Sequence, residues 1–120
     1  MADDLTTALQ VLVGEQLSSV SFVIDYWQFA FEGHGLTILS RVTVKGPDWQ
    51  TSDGDPEFRN RLCSCIGHVV TGTVFRPGDH LALTVEGGIS IEVSLLEQHY
   101  RGAEAVNFHP RGSKTWGYVL

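Results

Sequence analysis

The densest run of reactive side chains in this chain is Cys63-Ser64-Cys65-Ile66-Gly67-His68. Structural zinc is held by four ligands, with two to four residues between paired cysteines. Here one residue separates them, and on a helix that spacing puts the two sulfurs about 200° apart around the axis. No second ligand pair follows, so the thiols read as small buried or half-buried groups, with no metal or cofactor expected. Five histidines, His34, His68, His80, His99 and His109, share no spacing. His34 and His80 fall at expected hairpins, where a solvent-exposed ring is the usual outcome. His99 and Arg101, flanked by Glu97 and Glu104, supply the residue types of a ligand site or an oriented general base near the junction of the two halves described below. Asp48, Trp49, Asp53, Asp55 and Glu57 form a different constellation: an acidic patch with an aromatic anchor, suited to a basic protein partner. The competing reading of Trp49 is a ring folded back to plug one end of a sheet. Tyr26, Trp116 and Tyr118 are further aromatic candidates for partial exposure.

Familiar reaction motifs do not occur. There is no nucleophile elbow, phosphate loop, dinucleotide fingerprint or zinc-protease helix. Gly33-His34-Gly35 precedes a strand rather than a helix, so it reads as a hairpin and not as a phosphate cradle. Asp53-Gly54-Asp55-Pro56-Glu57 is only loosely like a calcium loop, lacking its glycine spacing and distant glutamate. The chain thus leans away from an enzyme.

Composition bounds the elements that must position these residues. The chain has 120 residues, 42% hydrophobic and 18% charged, enough for one domain over residues 1–120 with a real core. Fourteen acids against eight bases give a net charge of −6, which argues against nucleic acid, whose affinity comes largely from Lys and Arg on phosphates. Residues 1–60 carry nine acids and three bases; residues 61–120 carry five of each. The start Met1-Ala2-Asp3-Asp4 lacks the basic and apolar regions of a secretory signal, and no apolar run is long enough to span a membrane. With only two cysteines, the expected compartment is the cytoplasm.

Sliding the chain against itself by 53 residues lays Val13-Gly14 on Ile66-Gly67, Leu17 on Val70 and Phe22 on Phe75. Leu5, Leu9 and Leu12 fall on Phe58, Leu62 and Cys65. After a one-residue slip, Glu32-Gly33 matches Glu86-Gly87. The fold expected is α+β: two related units, residues 4–45 and 56–96, each a helix followed by three antiparallel strands, with helices packed on the sheet. Helical stripes (Leu5, Ala8, Leu9, Leu12; Phe58, Leu62, Cys65) and period-two strands (Val20, Phe22, Ile24; Trp27, Phe29, Phe31; Leu81, Leu83, Val85; Ile89, Ile91, Val93) carry that reading. Gly14 and Gly67 close the helices, and Asp55-Pro56 starts the second. The acidic segment 46–54 reads as a linker between halves 1–45 and 55–120. A last hairpin joins 104–109 to 115–120, and edge strands offer a route to a homodimer.

Three motifs, Leu12-Val13-Gly14 through Val20-Ser21-Phe22-Val23-Ile24-Asp25-Tyr26, Asp55-Pro56-Glu57-Phe58-Arg59 through Ile66-Gly67, and Gly102-Ala103-Glu104-Ala105 through Phe108, resemble those of a group of small uncharacterised bacterial proteins. That group is a domain of unknown function, so the resemblance implies no activity. In size and acidity the chain is similar to immunity proteins that neutralise toxins. The function expected is a non-enzymatic, protein-binding module, immunity-like by that analogy; the alternative is a small ligand-binding protein or enzyme with its site between the halves near His99 and Arg101.

Overall fold

The computed structural model describes residues 2–112 and 118–119, with side chains over 5–112. Strands dominate. After helix α1 (Ala2–Leu9) and a single 3-10 turn (Gln10–Leu12), the chain forms β1 (Ser19–Phe22), β2 (Trp27–Phe31) and β3 (His34–Ile38). It continues as β4 (Val42–Lys45), β5 (Gln50–Ser52) and helix α2 (Phe58–Cys63), then β6 (Val70–Arg76), β7 (His80–Val85) and β8 (Ile89–Ser94). A 3-10 turn (Glu97–His99), β9 (Val106–His109) and β10 (Tyr118–Val119) complete it. All pairings are antiparallel, in two five-stranded sheets of order β1-β2-β3-β9-β10 and β5-β4-β8-β7-β6.

Each three-strand meander is therefore extended by a hairpin from the other half of the chain. β4 leaves the first sheet and pairs with β8; β9 leaves the second and pairs with β3. The two crossing segments bond to each other, Leu39 N–H donating to Ala105 O (2.7 Å), Arg101 N–H to Leu39 O (2.8 Å) and Ser94 N–H to Arg41 O (2.9 Å). The segment 46–54, expected as a linker, holds the β4–β5 turn and all of β5. Its alternation was hidden because β5 has only three residues, Gln50, Thr51 and Ser52, with one buried.

Behind the helices the two halves meet directly. Gly14 N–H donates to Val70 O (2.9 Å) and Gly67 N–H to Leu17 O (2.7 Å). Leu17 N–H donates to His68 O (3.0 Å) and Val70 N–H to Glu15 O (2.9 Å), around an isolated antiparallel bridge of Gln16 with Val69. Both glycines have positive φ, +91° and +93°, a conformation costly for any residue with a Cβ. The 53-residue shift maps each of these bonds onto another of the set.

Period-two alternation sends Trp27, Phe29 and Phe31 from β2, Leu36 and Ile38 from β3, and Leu81, Leu83 and Val85 from β7 into one buried cluster. Leu5, Leu9 and Leu12 join it from the first helical segment, and Phe58, Leu62 and Cys65 from the second. α1 contacts β6, and α2 contacts β4 and β5. The Phe58 ring meets Trp27 with centroids 5.2 Å apart. Two expectations shift. β1 ends at Phe22, so Ile24 sits on the β1–β2 turn and is 95% exposed instead of sharing the strand's inner face. α2 starts at Phe58, because the Asp55 carboxylate is bonded back to Ser52 N–H instead of capping the helix. Trp116 and the side chains of Tyr118, Asp3 and Asp4 lie outside the described residues.

Leu81→Ala should cost about 2–5 kcal/mol, the usual range for a buried leucine, whereas Ile24→Ala should stay within about 0.5 kcal/mol. Urea unfolding of both variants checks the assignment of inside and outside.

Candidate functional site

Because Val42 and Val44 point inward from β4, Thr43 and Lys45 point outward; because Ile91 and Val93 point inward from β8, Glu92 and Ser94 point outward. Register places Ser52 opposite Thr43, Thr43 opposite Glu92, and His80 opposite Ser94. With Arg41, Gln50, Asp79 and His99 these residues line an open cleft of about 330 Å³ on the outer face of the second sheet. All of its lining side chains are polar, and they come from both halves of the chain.

The polar groups hold one another in place. Thr43 and Ser52 hydroxyls are 2.9 Å apart, and Lys45 Nζ lies 2.9 Å from Glu92 Oε2. His80 Nδ1 is 2.9 Å from Asp79 Oδ2; a carboxylate only accepts, so Nδ1 carries the hydrogen and Nε2 is the acceptor of the neutral ring. Ser94 Oγ accepts Leu96 N–H (3.2 Å) and stands 2.6 Å from His99 Nδ1. The serine oxygen has a second lone pair, so it donates to one tautomer of His99 and accepts from the other. Ser40 fixes the same turn by donating to His99 O at 3.3 Å. A serine–histidine contact invites a nucleophile–base reading. Two observations weigh against it: the serine oxygen caps the turn, and among the described residues no carboxylate is bonded to His99. The arrangement is that of a pre-ordered hydrogen-bonding surface.

The acidic segment reaches this site from one side. Asp53, with a side chain 14% exposed, pairs with Arg41 (3.7 Å) and with Arg101. Arg101 lies over the Trp27 ring, 4.4 Å from its centroid, and burial lowers its pKa from the ordinary arginine value. One ion pair thus links a residue of the expected partner patch to one of the expected ligand site. Asp55 accepts Ser52 N–H (2.9 Å) and the Thr51 hydroxyl (3.3 Å). Glu57 lies 4.0 Å from Arg61, whose guanidinium covers the half-buried Trp49 ring at 4.2 Å. That ring also lies against Gly46, where a Cβ would collide with it. Asp48 is exposed on the β4–β5 turn. Glu97 is exposed and Glu104 half-buried, and neither lines the cleft.

Arg41, Thr43, Gln50, Ser52, Asp79, His80, Glu92 and Ser94 escaped sequence reasoning because β4 pairs with β8 only after crossing between sheets. The alternation of Ile91 and Val93 was the signal that placed Glu92 and Ser94 outside. Cys63 is exposed and Cys65 fully buried; burial pushes the Cys65 thiol up to about 11. Among the described residues no three His, Cys, Asp or Glu side chains converge as a metal site, and no helix there is long and apolar enough to cross a membrane. Against known proteins, no family model, curated protein or solved structure matches this chain.

Asp53→Ala should destabilise the fold by about 1–2 kcal/mol, since it strands the partly buried Arg101 guanidinium and releases the exposed Arg41, while Asp48→Ala should change stability by less than about 0.5 kcal/mol. Thermal unfolding of the two variants separates them. In the native protein a thiol reagent should modify Cys63 within minutes and reach Cys65 only on unfolding; two equally fast thiols would contradict the burial of Cys65.

Proposed function

We propose that this chain is a non-enzymatic binding module that recognises a basic protein partner, in the manner of a toxin-neutralising immunity protein, with the polar cleft on β5-β4-β8-β7 as the centre of its recognition surface. The observation that carries the reading is the cleft itself: hydrogen-bonding side chains from both halves, held on paired strands and already bonded to one another. Such groups lose little freedom on binding, which leaves more of the contact energy as affinity. The charge of −6 supplies long-range steering toward a basic partner. Asp48, Trp49, Asp53, Asp55 and Glu57 form the adjoining rim in this reading, with Asp48 an exposed acid on the β4–β5 turn.

The site lies between halves that we read as two copies of one unit. The matched strand orders, β1-β2-β3-β9-β10 against β6-β7-β8-β4-β5, and the exchange of bonds around Gln16 and Val69 support that reading. The three sequence motifs support membership of the bacterial group of unknown function.

A second reading has its own support. Two imidazole rings, His80 and His99, in a space of about 330 Å³ suit a small polar ligand carrying both a donor and an acceptor.

Affinity capture from the host lysate, followed by titration of the purified partner, tests the proposal. Thr43→Arg, which fills the middle of the cleft from a half-buried position, should weaken binding at least about tenfold, or about 1.4 kcal/mol, and leave the fold intact by circular dichroism. Asp48→Asn should chiefly slow association at low salt. Full affinity in a folded Thr43→Arg variant would move the recognition surface elsewhere. A ligand-induced stability shift in fragment screening that Thr43→Arg abolishes, with no protein captured, would favour the second reading.

A further inference from the structure

His34 was expected at an exposed hairpin, and the structure buries it: the residue is 6% exposed, at the first position of β3. Its register partner is Phe31, and the Phe108 ring lies 6.5 Å away, centroid to centroid. The polar contacts of the ring come from one residue of the turn after β9. Arg111 donates its backbone N–H to His34 Nδ1 at 2.7 Å, and its guanidinium Nη2 stands 3.1 Å from Nε2. The same Nη2 reaches Glu15 at 3.1 and 3.3 Å, while the aliphatic stem lies over Gly33, where a Cβ would touch it at 3.1 Å. The turn also walls a cavity of about 440 Å³ on the outer face of the first sheet, lined in part by Gly35, Thr37, His109 and Pro110.

We propose that His34 is an acid-sensitive latch: the neutral ring holds the turn Pro110–Gly112 on the first sheet by accepting Arg111 N–H, and protonation of the ring releases that turn and reshapes the cavity it walls. The chemistry is forced by proton count. An imidazolium carries hydrogen on both nitrogens, so it cannot accept Arg111 N–H. It also sets a second cation 3.1 Å from the Arg111 guanidinium. The charged groups that reach the ring are Arg111 from the turn and Glu15 from the segment after the first 3-10 turn; Phe31 and Phe108 contribute no charge. Burial, and then Arg111, hold the His34 pKa below the ordinary 6.5, while Glu15 pulls it up. The unfolded chain takes up this proton near pH 6.5 and the folded chain only at lower pH. Stability from this group is therefore complete above that window and lost as pH falls through it.

Amide exchange followed by NMR across about pH 7.5 to about pH 5 tests the latch, with rates corrected for intrinsic pH dependence. Protection at Arg111 should fall at least about tenfold, with the same midpoint as the His34 ring resonances. Glu15→Gln, which removes the one compensating carboxylate, should move both midpoints to lower pH together. His34→Asn keeps a side-chain acceptor without a titrating ring and should abolish the transition at Arg111. Unchanged Arg111 protection while the His34 ring titrates would overturn the proposal, as would an identical transition in a folded His34→Asn variant. Should that variant not fold, the coincidence of the two midpoints in the unaltered protein, and their joint shift in Glu15→Gln, decide alone.

Discussion

Four backbone hydrogen bonds around Gln16 and Val69 tie the first half of the chain to the second, and the remaining architecture follows from that contact. A segment that has just left a helix must place its freed N–H and C=O groups somewhere. Here each half uses the other: Gly14 and Leu17 donate to Val70 and His68, and Gly67 and Val70 donate to Leu17 and Glu15. With these segments joined, each following meander starts beside its counterpart, and the chain reaches the other sheet as β4 and again as β9. Neither meander is then a complete sheet without the other half. The apolar faces fuse into one buried cluster, which makes removal of either half far more costly than the loss of its own residues.

Local patterns made much of this legible. The Phe58, Leu62 and Cys65 stripe, the alternation in β2, β7 and β8, and the glycines at 14 and 67 are short-range signals, and physics reads them locally. What stayed hidden depends on long-range partners. β4 is four residues long and β5 three, and the pairing of β4 with β8 joins residues some fifty positions apart, so the acidic composition of 46–54 suggested a linker. His34 sits beside a turn, where exposure is the default, and only the return of the chain at Arg111 buries it. Asp53 looked like one of several free acids until Arg41 and Arg101 arrived from the two crossings.

That last point changes how the charge of the protein works. In sequence, the acids between Asp48 and Glu57 form a single negative run. In space Asp53 serves two arginines, Asp55 serves the turn before α2, and Glu57 lies beside Arg61. The run is spent on holding β5 and α2 against the crossings. In the proposed reading, the field that a partner meets at a distance is that of the whole chain at −6, rather than of one patch, and close-range recognition falls to groups with hydrogen bonds to offer.

The two outer sheet faces show where those groups are concentrated. On the first sheet, one outward row of register partners runs Ser19, Ala30, Gly35 and His109, small at its middle, beside a polar row of Ser21, Gln28, Thr37 and Asn107. On the second, the row Ser52, Thr43, Glu92 and Ala82 carries polar side chains through its centre, flanked by His80, Ser94 and His99. Matched strand orders thus present unlike chemistry: a shallow trough beside a titratable latch on one side, and a hydrogen-bonded polar cleft on the other. A buried core requires alternation of both sheets equally, and it places no demand on what the outward positions carry. In the proposed reading, the contrast between the faces reflects what meets each from outside, and the second face, with several donors and acceptors already bonded across its strands, is the one prepared for a partner.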